Sequence, residues 1–374
     1  GDIMKEKKNI PEIRFEGFEG EWEEKRIGEL GDIVTGSTPS TQEPLYYSNH
    51  GIPWVTPTDI TENITYHTAK YLSEKGKQVS RLVPKNSILV TCIASIGKNT
   101  MLGTLGSFNQ QINGLIPDEN KYNTYFLYTE STLWSNEMKR SAASGTMQIV
   151  NKKEFSELKT FIPTIEEQSQ IGTFFQNLDK QIILEQQKHD KLISLKKAML
   201  EKMFPKEGAT VPEIRFEGFE DAWEECTIMD VFNYIRPDDY IVSREDYSND
   251  FETPVLTANK AFILGYSNEK RTYDYPCVIF DDFTLSFKYV DFPFMVKSSA
   301  LKILTIKDIF KYDLIFIFNL LQTLKFEIMG HARHYIGVVQ QMKILTPSPN
   351  EQSQIGTYFQ NLDNLISLQQ QKID

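Results

Sequence analysis

The chain has 374 residues, of which 40% are hydrophobic and 12% aromatic; that is enough apolar material for two or three folded domains, and it excludes global disorder. The net charge of −11 is at first sight the wrong sign for a nucleic-acid binder. No apolar run approaches the roughly 18 residues of a membrane span, and the polar, lysine-rich start is not a signal peptide.

In chain order, Gly1-Asp2-Ile3 ahead of Met4 reads as a cloning remnant. Residues 11–24 then read PEIRFEGFEGEWEE, and residues 212–225 read PEIRFEGFEDAWEE; twelve of these fourteen positions are identical, at an offset of 201. Each copy holds six acids and one arginine, so the pair supplies −10 of the −11. Residues 25–160 carry 14 Lys/Arg against 12 Asp/Glu, and residues 226–348 carry 13 against 15. The acidity therefore sits in the repeats as solvated turns, and the stretches between them are near neutral, free to present a basic face. A period near 200 residues is far too long for a solenoid or propeller.

The first insert mixes β-rich runs, Ile52 to Val55 and Ser87 to Ile93, with turn signals at Gly36-Ser37-Thr38-Pro39, Asn49-His50-Gly51 and Gly97-Lys98-Asn99. From Glu166 to Phe204 the spacing predicts one long helix, bounded by Pro163 and Pro205, with a polar interval at Glu185 to Lys191 that marks a break or an exposed turn. Its apolar stripe runs through Ile171, Phe174, Phe175, Leu178, Ile182, Leu192, Leu195, Met199 and Met203. The second insert reads as strands at Pro276 to Phe280, Phe283 to Val290 and Ala300 to Ile306, then a helix near Ile309 to Ile328. Residues 351–372 repeat residues 167–188 at an offset of 184, with 17 of 22 positions identical, and carry the stripe again at Ile355, Tyr358, Phe359, Leu362 and Ile366. An apolar stripe on a long helix needs a partner; the economical one is the other copy, packed antiparallel. The first copy runs on from Lys191 to Phe204 with no counterpart after Asp374, leaving open a natural end or a piece of a longer chain. Both inserts read as α+β domains.

A search for chemistry finds little. There is no phosphate-binding GxxxxGK[ST] or GxGxxG loop and no Asn-Pro-Pro or Asp-Pro-Pro tetrapeptide. Pro117-Asp118-Glu119-Asn120-Lys121 has the letters of a nuclease motif without an intervening strand, and reads as a turn; Pro237-Asp238-Asp239 lacks a following Glu-x-Lys. His331 and His334 share a helical spacing but two ligands do not close a zinc site. Cys92, Cys226 and Cys277 show no ligand spacing and cannot all pair, which fits a reducing compartment. A chain of this length without a catalytic constellation reads as a binding component, with no metal of its own.

The duplicated EQSQIG-x-[FY]-FQNLD helix follows an Ile162-Pro163 or Thr346-Pro347 step. Together with the PEIRFEGFE…WEE entries and the phrases Gly36-Ser37-Thr38-Pro39, Ile52-Pro53-Trp54-Val55-Thr56-Pro57-Thr58-Asp59-Ile60 and Gly145-Thr146-Met147-Gln148, it resembles the specificity subunit of type I restriction-modification systems. The resemblance covers essentially the whole chain. It implies an α+β fold with two target recognition domains separated by two long antiparallel helices. The map is a frame repeat at 1–24, recognition domain 1 at 25–164, a central helix at 165–204 and a second frame repeat and linker at 205–225. Recognition domain 2 follows at 226–348, then a C-terminal helix at 349–374. It implies that each domain reads one half of a bipartite, asymmetric site on double-stranded DNA. Two modification (methyltransferase) subunits would bring S-adenosylmethionine, and motor-nuclease restriction subunits would bring ATP and Mg, in a bacterial or archaeal cytoplasm. The chain itself would be non-catalytic and hold no cofactor. Two other readings remain: a helical scaffold or decoy that binds modification subunits without reading DNA, and the detached specificity region of a fused enzyme.

Base edges are read by Arg, Lys, Asn, Gln, Ser and Thr, and phosphates mostly by Lys, Arg and backbone amides. The polar loops of the first insert therefore nominate Ser37, Thr38, Thr58, Lys98, Asn99, Asn109, Gln110, Arg140, Ser144, Thr146 and Gln148. The second insert nominates Arg236, Lys260, Ser286, Lys288, Arg333, His334 and Tyr335. The aromatic run Phe280, Phe283, Phe287, Tyr289, Phe292 and Phe294 reads as core.

Overall fold

A computed structural model of the protein describes residues 9–143, 149–258, 261–325 and 334–374. It divides into two compact units, Gly1–Gln181 and Ile182–Asp374. The division falls inside the central helix. Among the described residues, no helix is long and apolar enough to cross a membrane.

The first unit is built on a five-stranded sheet in the order Gly31–Thr35, Ile112–Pro117, Ile88–Thr91, Asn99–Leu102, Ile64–Thr65. Ile88–Thr91 is buried along its whole length, as an apolar run covered on both faces must be. One face is covered by helix α1 (Thr124–Ala143); Phe126, Trp134 and Met138 from that helix join Ile88, Val90 and Leu115 in one core. A second small sheet sets Ile52–Val55 parallel to Ser107–Phe108.

The second unit repeats this plan. Its main sheet has the order Phe232–Ile235, Leu301–Ile306, Cys277–Asp281, Ser286–Val290, antiparallel throughout like the first four strands of its counterpart. Thr253–Leu256 pairs parallel with Met295–Val296, as Ile52–Val55 does with Ser107–Phe108. A helix α3 (Leu314–Thr323) stands where α1 stands. The inserts, unlike in sequence, share one topology. The helix expected near Ile309 to Ile328 begins later because Asp313 caps it, accepting the Phe316 N–H at 2.8 Å.

The repeated sequences form the clip that closes each unit. Arg14 donates from Nε and Nη2 to the two oxygens of Glu167, both at 2.7 Å. Arg215 does the same to Glu351 at 2.7 and 2.8 Å. Both carboxylates are buried, and the bidentate geometry is what makes such burial tolerable. Each arginine also binds the turn behind it, at Gly20 O and Asp221 O. Gln168 Nε2 donates to Pro163 O, and its Oε1 accepts the Asn123 N–H; Gln352 repeats this with Pro347 and Asp313. Beside them the helix must approach α1 or α3 closely. A Cβ on Gly172 would lie 2.3 Å from Asn123 Oδ1, and one on Gly356 would lie 2.6 Å from Asp313 Oδ1. Hydrogen-bonded strand pairs complete the clip, Glu23–Arg26 with Lys159–Ile162 and Glu224–Thr227 with Lys343–Thr346.

Helix α2 spans Ile165–Lys202. It is continuous through Glu185 to Lys191, where the polar interval reads as a break or an exposed turn. Helix α4 spans Pro349–Ile373. Inside the second unit the two touch: Lys196 forms an ion pair with Asp363 at 2.5 Å, and Gln369 donates to Glu185, which helps hold the Glu185 carboxyl below its usual range. The stripe residues do not share one environment. Ile355, Phe359 and Leu362 are buried, and Ile171, Leu192, Met199, Tyr358 and Ile366 are half-buried. Phe174, Phe175, Leu178, Ile182 and Leu195 are exposed; periodicity assigns them a packing role that the structure gives mainly to the second copy.

Candidate nucleic-acid interface

In the first unit, several of the nominated residues are drawn into one cluster of loops at the end of the main sheet. Gly36 runs against the Phe108–Asn109 backbone so closely that a Cβ there would lie 2.1 Å from Asn109 O. Its neighbour Ser37 donates its N–H to Phe108 O at 2.8 Å and accepts the Trp54 indole N–H at 3.0 Å. Thr38 is bonded to Gln110 and exposed beside it. Asn109 N–H donates to Val55 O, which joins this loop to the Thr56–Asp59 turn. There Asp59 accepts the Thr56 N–H at 2.8 Å and hydroxyl at 2.6 Å, leaving Thr58 exposed at the tip. Lys98 Nζ donates to Pro57 O at 3.1 Å, tying in the Ile93 to Lys98 loop. That loop holds Ala94 at φ 63, a left-handed conformation costly for a residue with a Cβ.

Some nominated side chains are spent internally. Asn99 donates to Ser131 Oγ at 2.6 Å, holding its strand to α1, and Asn109 binds Gln111 through both amide atoms. Arg140 is exposed on the last turn of α1. Two cations were missed. Arg81 donates to Thr35 O at 2.7 Å, and its backbone N–H holds Ser37 Oγ at 3.0 Å. Lys139 lies along Gly97, with Cε 2.8 Å from where a Cβ would sit. Neither stood in a Gly/Pro-rich phrase, the signal used to find loops. Ser144, Thr146 and Gln148 lie outside the described residues; Ile149 is bridged to Ile93.

The second unit uses equivalent loops. The turn between Cys277–Asp281 and Ser286–Val290 corresponds to the Ile93 to Lys98 loop. Asp281 accepts the N–H groups of Phe283 and Thr284 at 2.8 and 3.3 Å. Thr284 Oγ1 and Ser286 Oγ lie 2.6 Å apart. Strand register places Asp281 opposite Leu301, Phe280 opposite Lys302 and Ile235 opposite Ile303, so Arg236 emerges at this same end, exposed. Lys302 is paired with Asp282 at 3.0 Å, both largely buried. Lys288 stacks its ammonium over Phe262 at 4.1 Å. Lys260 and Arg333 lie outside the described residues, as do His331 and the side chain of His334.

Tyr335 is a correction. Its ring is 1% exposed, packed on Tyr234 and Phe280 at 5.6 Å each, and burial raises its hydroxyl well above the ordinary range. It lies on the short helix His334–Gly337 with its ring inward, and its backbone N–H donates to Asp282 in the hairpin turn at 3.2 Å. The aromatic run splits too: Phe280, Phe287 and Phe294 are core, but Phe283 and Phe292 are exposed, Phe283 at the turn tip where strand alternation no longer applies. A cleft of this unit, lined among others by Tyr240, Tyr273, Tyr275, Ile309, Phe310 and Tyr312, has none of the nominated residues in its lining.

Three further groups have displaced titrations. Burial pushes the Cys92 thiol up to about 11 and the Cys277 thiol up to about 12. Burial likewise lifts the Glu130 carboxyl to about 7, against a lowering by the Thr160 hydroxyl that binds it at 2.9 Å. Among the described residues, no group of three or more His, Cys, Asp or Glu is placed to hold a metal ion.

Two copies of one clip, each closing a domain of one topology with polar loops at one sheet end, define a tandem two-domain protein. The family model of the type I restriction modification DNA specificity domain matches the chain twice, at residues 19–193 and 220–374; the chain belongs to that family. It is similar to the Escherichia coli type I restriction enzyme EcoR124I/EcoR124II specificity subunit, 39% identical over 140 residues, covering 36% of this chain and 34% of that one. The HindI specificity subunit of Haemophilus influenzae is 31% identical over 157 residues, covering 39% and 32%. These alignments span about a third of the length of either relative. The crystal structure of the type I restriction-modification S subunit from M. genitalium shares the fold, with a TM-score of 0.66 over 94% of this chain and 92% of that one at 16% identity.

Proposed function

We propose that this chain is the DNA-addressing, non-catalytic specificity subunit of a type I restriction-modification complex. Each unit reads one half of a bipartite, asymmetric duplex site. The observation that carries this is the double family match, laid over two units that share a topology and differ in loop sequence. A common frame suits two copies of one partner, and unlike loops suit two unlike half-sites. The partners are two modification subunits with S-adenosylmethionine and motor-nuclease subunits with ATP and Mg, in the cytoplasm of a bacterium or archaeon.

In the first unit, the contact set centres on Thr38, Thr58, Lys98, Gln110 and Arg140, with Ser144, Thr146 and Gln148. In the second it centres on Arg236, Lys260, Ser286, Lys288, Arg333 and His334. Ser37, Asn99 and Asn109 position loops, because their polar atoms are engaged within the protein. Helices α2 and α4 act as an antiparallel ruler holding the two domains apart. One helical turn adds about 5.4 Å, against ~3.4 Å per base pair, so a four-residue insertion near His189 lengthens the tolerated spacer by about two base pairs.

The test is base-resolved adenine methylation in cells carrying the chain with its modification subunit, against cells lacking the chain. A single gapped motif that depends on the chain is the expected result. Assembly without any new motif would refute the reading in favour of a scaffold.

A further inference from the structure

The hairpin between Cys277–Asp281 and Ser286–Val290 carries two apolar side chains in its turn, and they meet opposite fates. Leu285 packs against the core of the second unit, whereas Phe283 is 75% exposed. The turn that displays Phe283 is held on both flanks. Strand pairing closes it at Asp281 and Ser286. The buried Asp281 accepts the N–H groups of Phe283 and Thr284 and, at 2.8 Å, the Thr284 hydroxyl. Asp282 accepts the Tyr335 N–H at 3.2 Å and pairs with Lys302 at 3.0 Å. Leu285 sits at φ 51, a left-handed conformation costly for a residue with a Cβ, and its packing against the core retains it there. A large ring set in water by a fixed, strained turn adds little to the fold and contributes only when something covers it. Its surroundings are polar and basic: the Thr284 and Ser286 hydroxyls lie 2.6 Å apart, and Arg236 is exposed at the same sheet end. The corresponding loop of the first unit is also tied down, with Ala94 at φ 63 and the Lys98 N–H donated to Thr91 Oγ1 at 2.9 Å. From Ile93 to Lys98, however, it reads IASIGK and holds no aromatic residue.

We infer that Phe283 is an apolar wedge that the second unit inserts between stacked base pairs of its half-site, so that one half of the bipartite site is unstacked and the other is not. This rests on the reading of the chain as a DNA-addressing subunit. An apolar side chain among polar and cationic ones is the means by which a protein parts a base step and kinks a duplex. Every base offers a π-face to such a ring, so the ring itself reads no letter. Selectivity enters through the step it opens, since pyrimidine–purine steps unstack most easily. The half-site of the second unit therefore favours a flexible step at the wedge position, chosen without a hydrogen bond. Phe283 is uncharged and releases no counterions, which separates its effect from those of Arg236 and Lys288. Asp281 and Leu285 are positioning residues: they fix the turn and so lower the ordering cost of insertion.

The probe is a duplex carrying the gapped motif that methylation mapping recovers, bound by the full chain with its modification subunit. 2-Aminopurine, which brightens when its neighbours unstack, replaces in turn each purine of both half-sites outside the methylated adenine and its immediate neighbours. A rise is expected at a step in one half-site only. Phe283→Ala removes that rise and weakens duplex binding by at least about fivefold, with the salt slope unchanged; Phe283→Trp keeps both the rise and the affinity. The ring is exposed in the free protein, so the melting temperature of Phe283→Ala stays at that of the parent chain. A motif with no unstacked step, or a step that stays unstacked in Phe283→Ala, overturns the wedge and leaves the address function standing. Loss of assembly with the modification subunit in Phe283→Ala would place the ring at a protein contact and also overturn it. Absence of any chain-dependent motif refutes the address function and the wedge with it.

Discussion

Phe175 and Phe359 occupy the same position of the repeat, follow the same buried glutamate and border the same close-packed glycine. One is wholly enclosed and the other faces solvent. The local sequence around them is nearly identical, so the difference is tertiary: Met203 and Phe204, just beyond α2, pack into the core that encloses Phe359. A repeated motif thus specifies a clip, and a distant segment decides whether its aromatic face is core or surface.

The sharpest way to break this comparison is to truncate both rings. Phe359→Ala removes a fully packed ring and should destabilise the second unit by about 3–5 kcal/mol. Phe175→Ala, already half in solvent, should cost about 1 kcal/mol or less. Hydrogen exchange of the two helix segments under mild denaturant checks this; equal costs would mean that the exposed face is closed in solution.

A second contrast lies beneath the helices. Counting from the caps Asn123 and Asp313, Glu130 and Leu320 hold equivalent positions, and strand register makes Thr160 and Ile344 equivalent. The first unit therefore has a carboxyl and a hydroxyl where the second has two aliphatic side chains. The folded Glu130 titrates near 7, above its ordinary 4.5, so the unfolded chain releases this proton first. Its contribution is full below about pH 4.5, is lost as pH rises toward 7, and is flat above that. Glu130→Leu should raise stability by about 1–3 kcal/mol at pH 8 and change little at pH 4. Melting curves across that range decide the point, and a gain independent of pH would mean that the carboxyl titrates normally.

Smaller effects test the shared parts. Asn123 and Asp313 cap equivalent helices, at 2.9 and 2.8 Å from Phe126 N and Phe316 N. Alanine at either should cost about 1 kcal/mol by urea unfolding, with similar size in both units. At the interface, Lys98→Ala should weaken duplex binding evenly across sequences and lower the salt slope by about 1. A change in target preference with an unchanged salt slope would make Lys98 a base reader instead.

Much of the architecture was legible in the residues. The repeats, the two insert domains, the strands at Ile52–Val55, Cys277–Asp281 and Leu301–Ile306, and the long helix all follow from local apolar patterning, which short-range geometry enforces. The candidate site was less legible. Ser37, Asn99 and Asn109 have the chemistry of base readers, but their partners lie tens of residues away and consume their polar atoms. Arg81 and Lys139 lacked any local turn signal and reach the loops only through tertiary packing. Tyr335 followed a polar run and faces inward, packed on Tyr234 and Phe280.

The sequence by itself determined the duplication, the family and the secondary structure of the frame, because identity and periodicity are properties of neighbouring residues. Only the tertiary structure decided that unlike inserts share one sheet order and that Arg14 and Arg215 are the counter-ions of Glu167 and Glu351. It alone decided that one aromatic ladder is covered while its twin is open. Those outcomes depend on contacts between segments more than a hundred residues apart, and no local pattern encodes which distant surface will arrive.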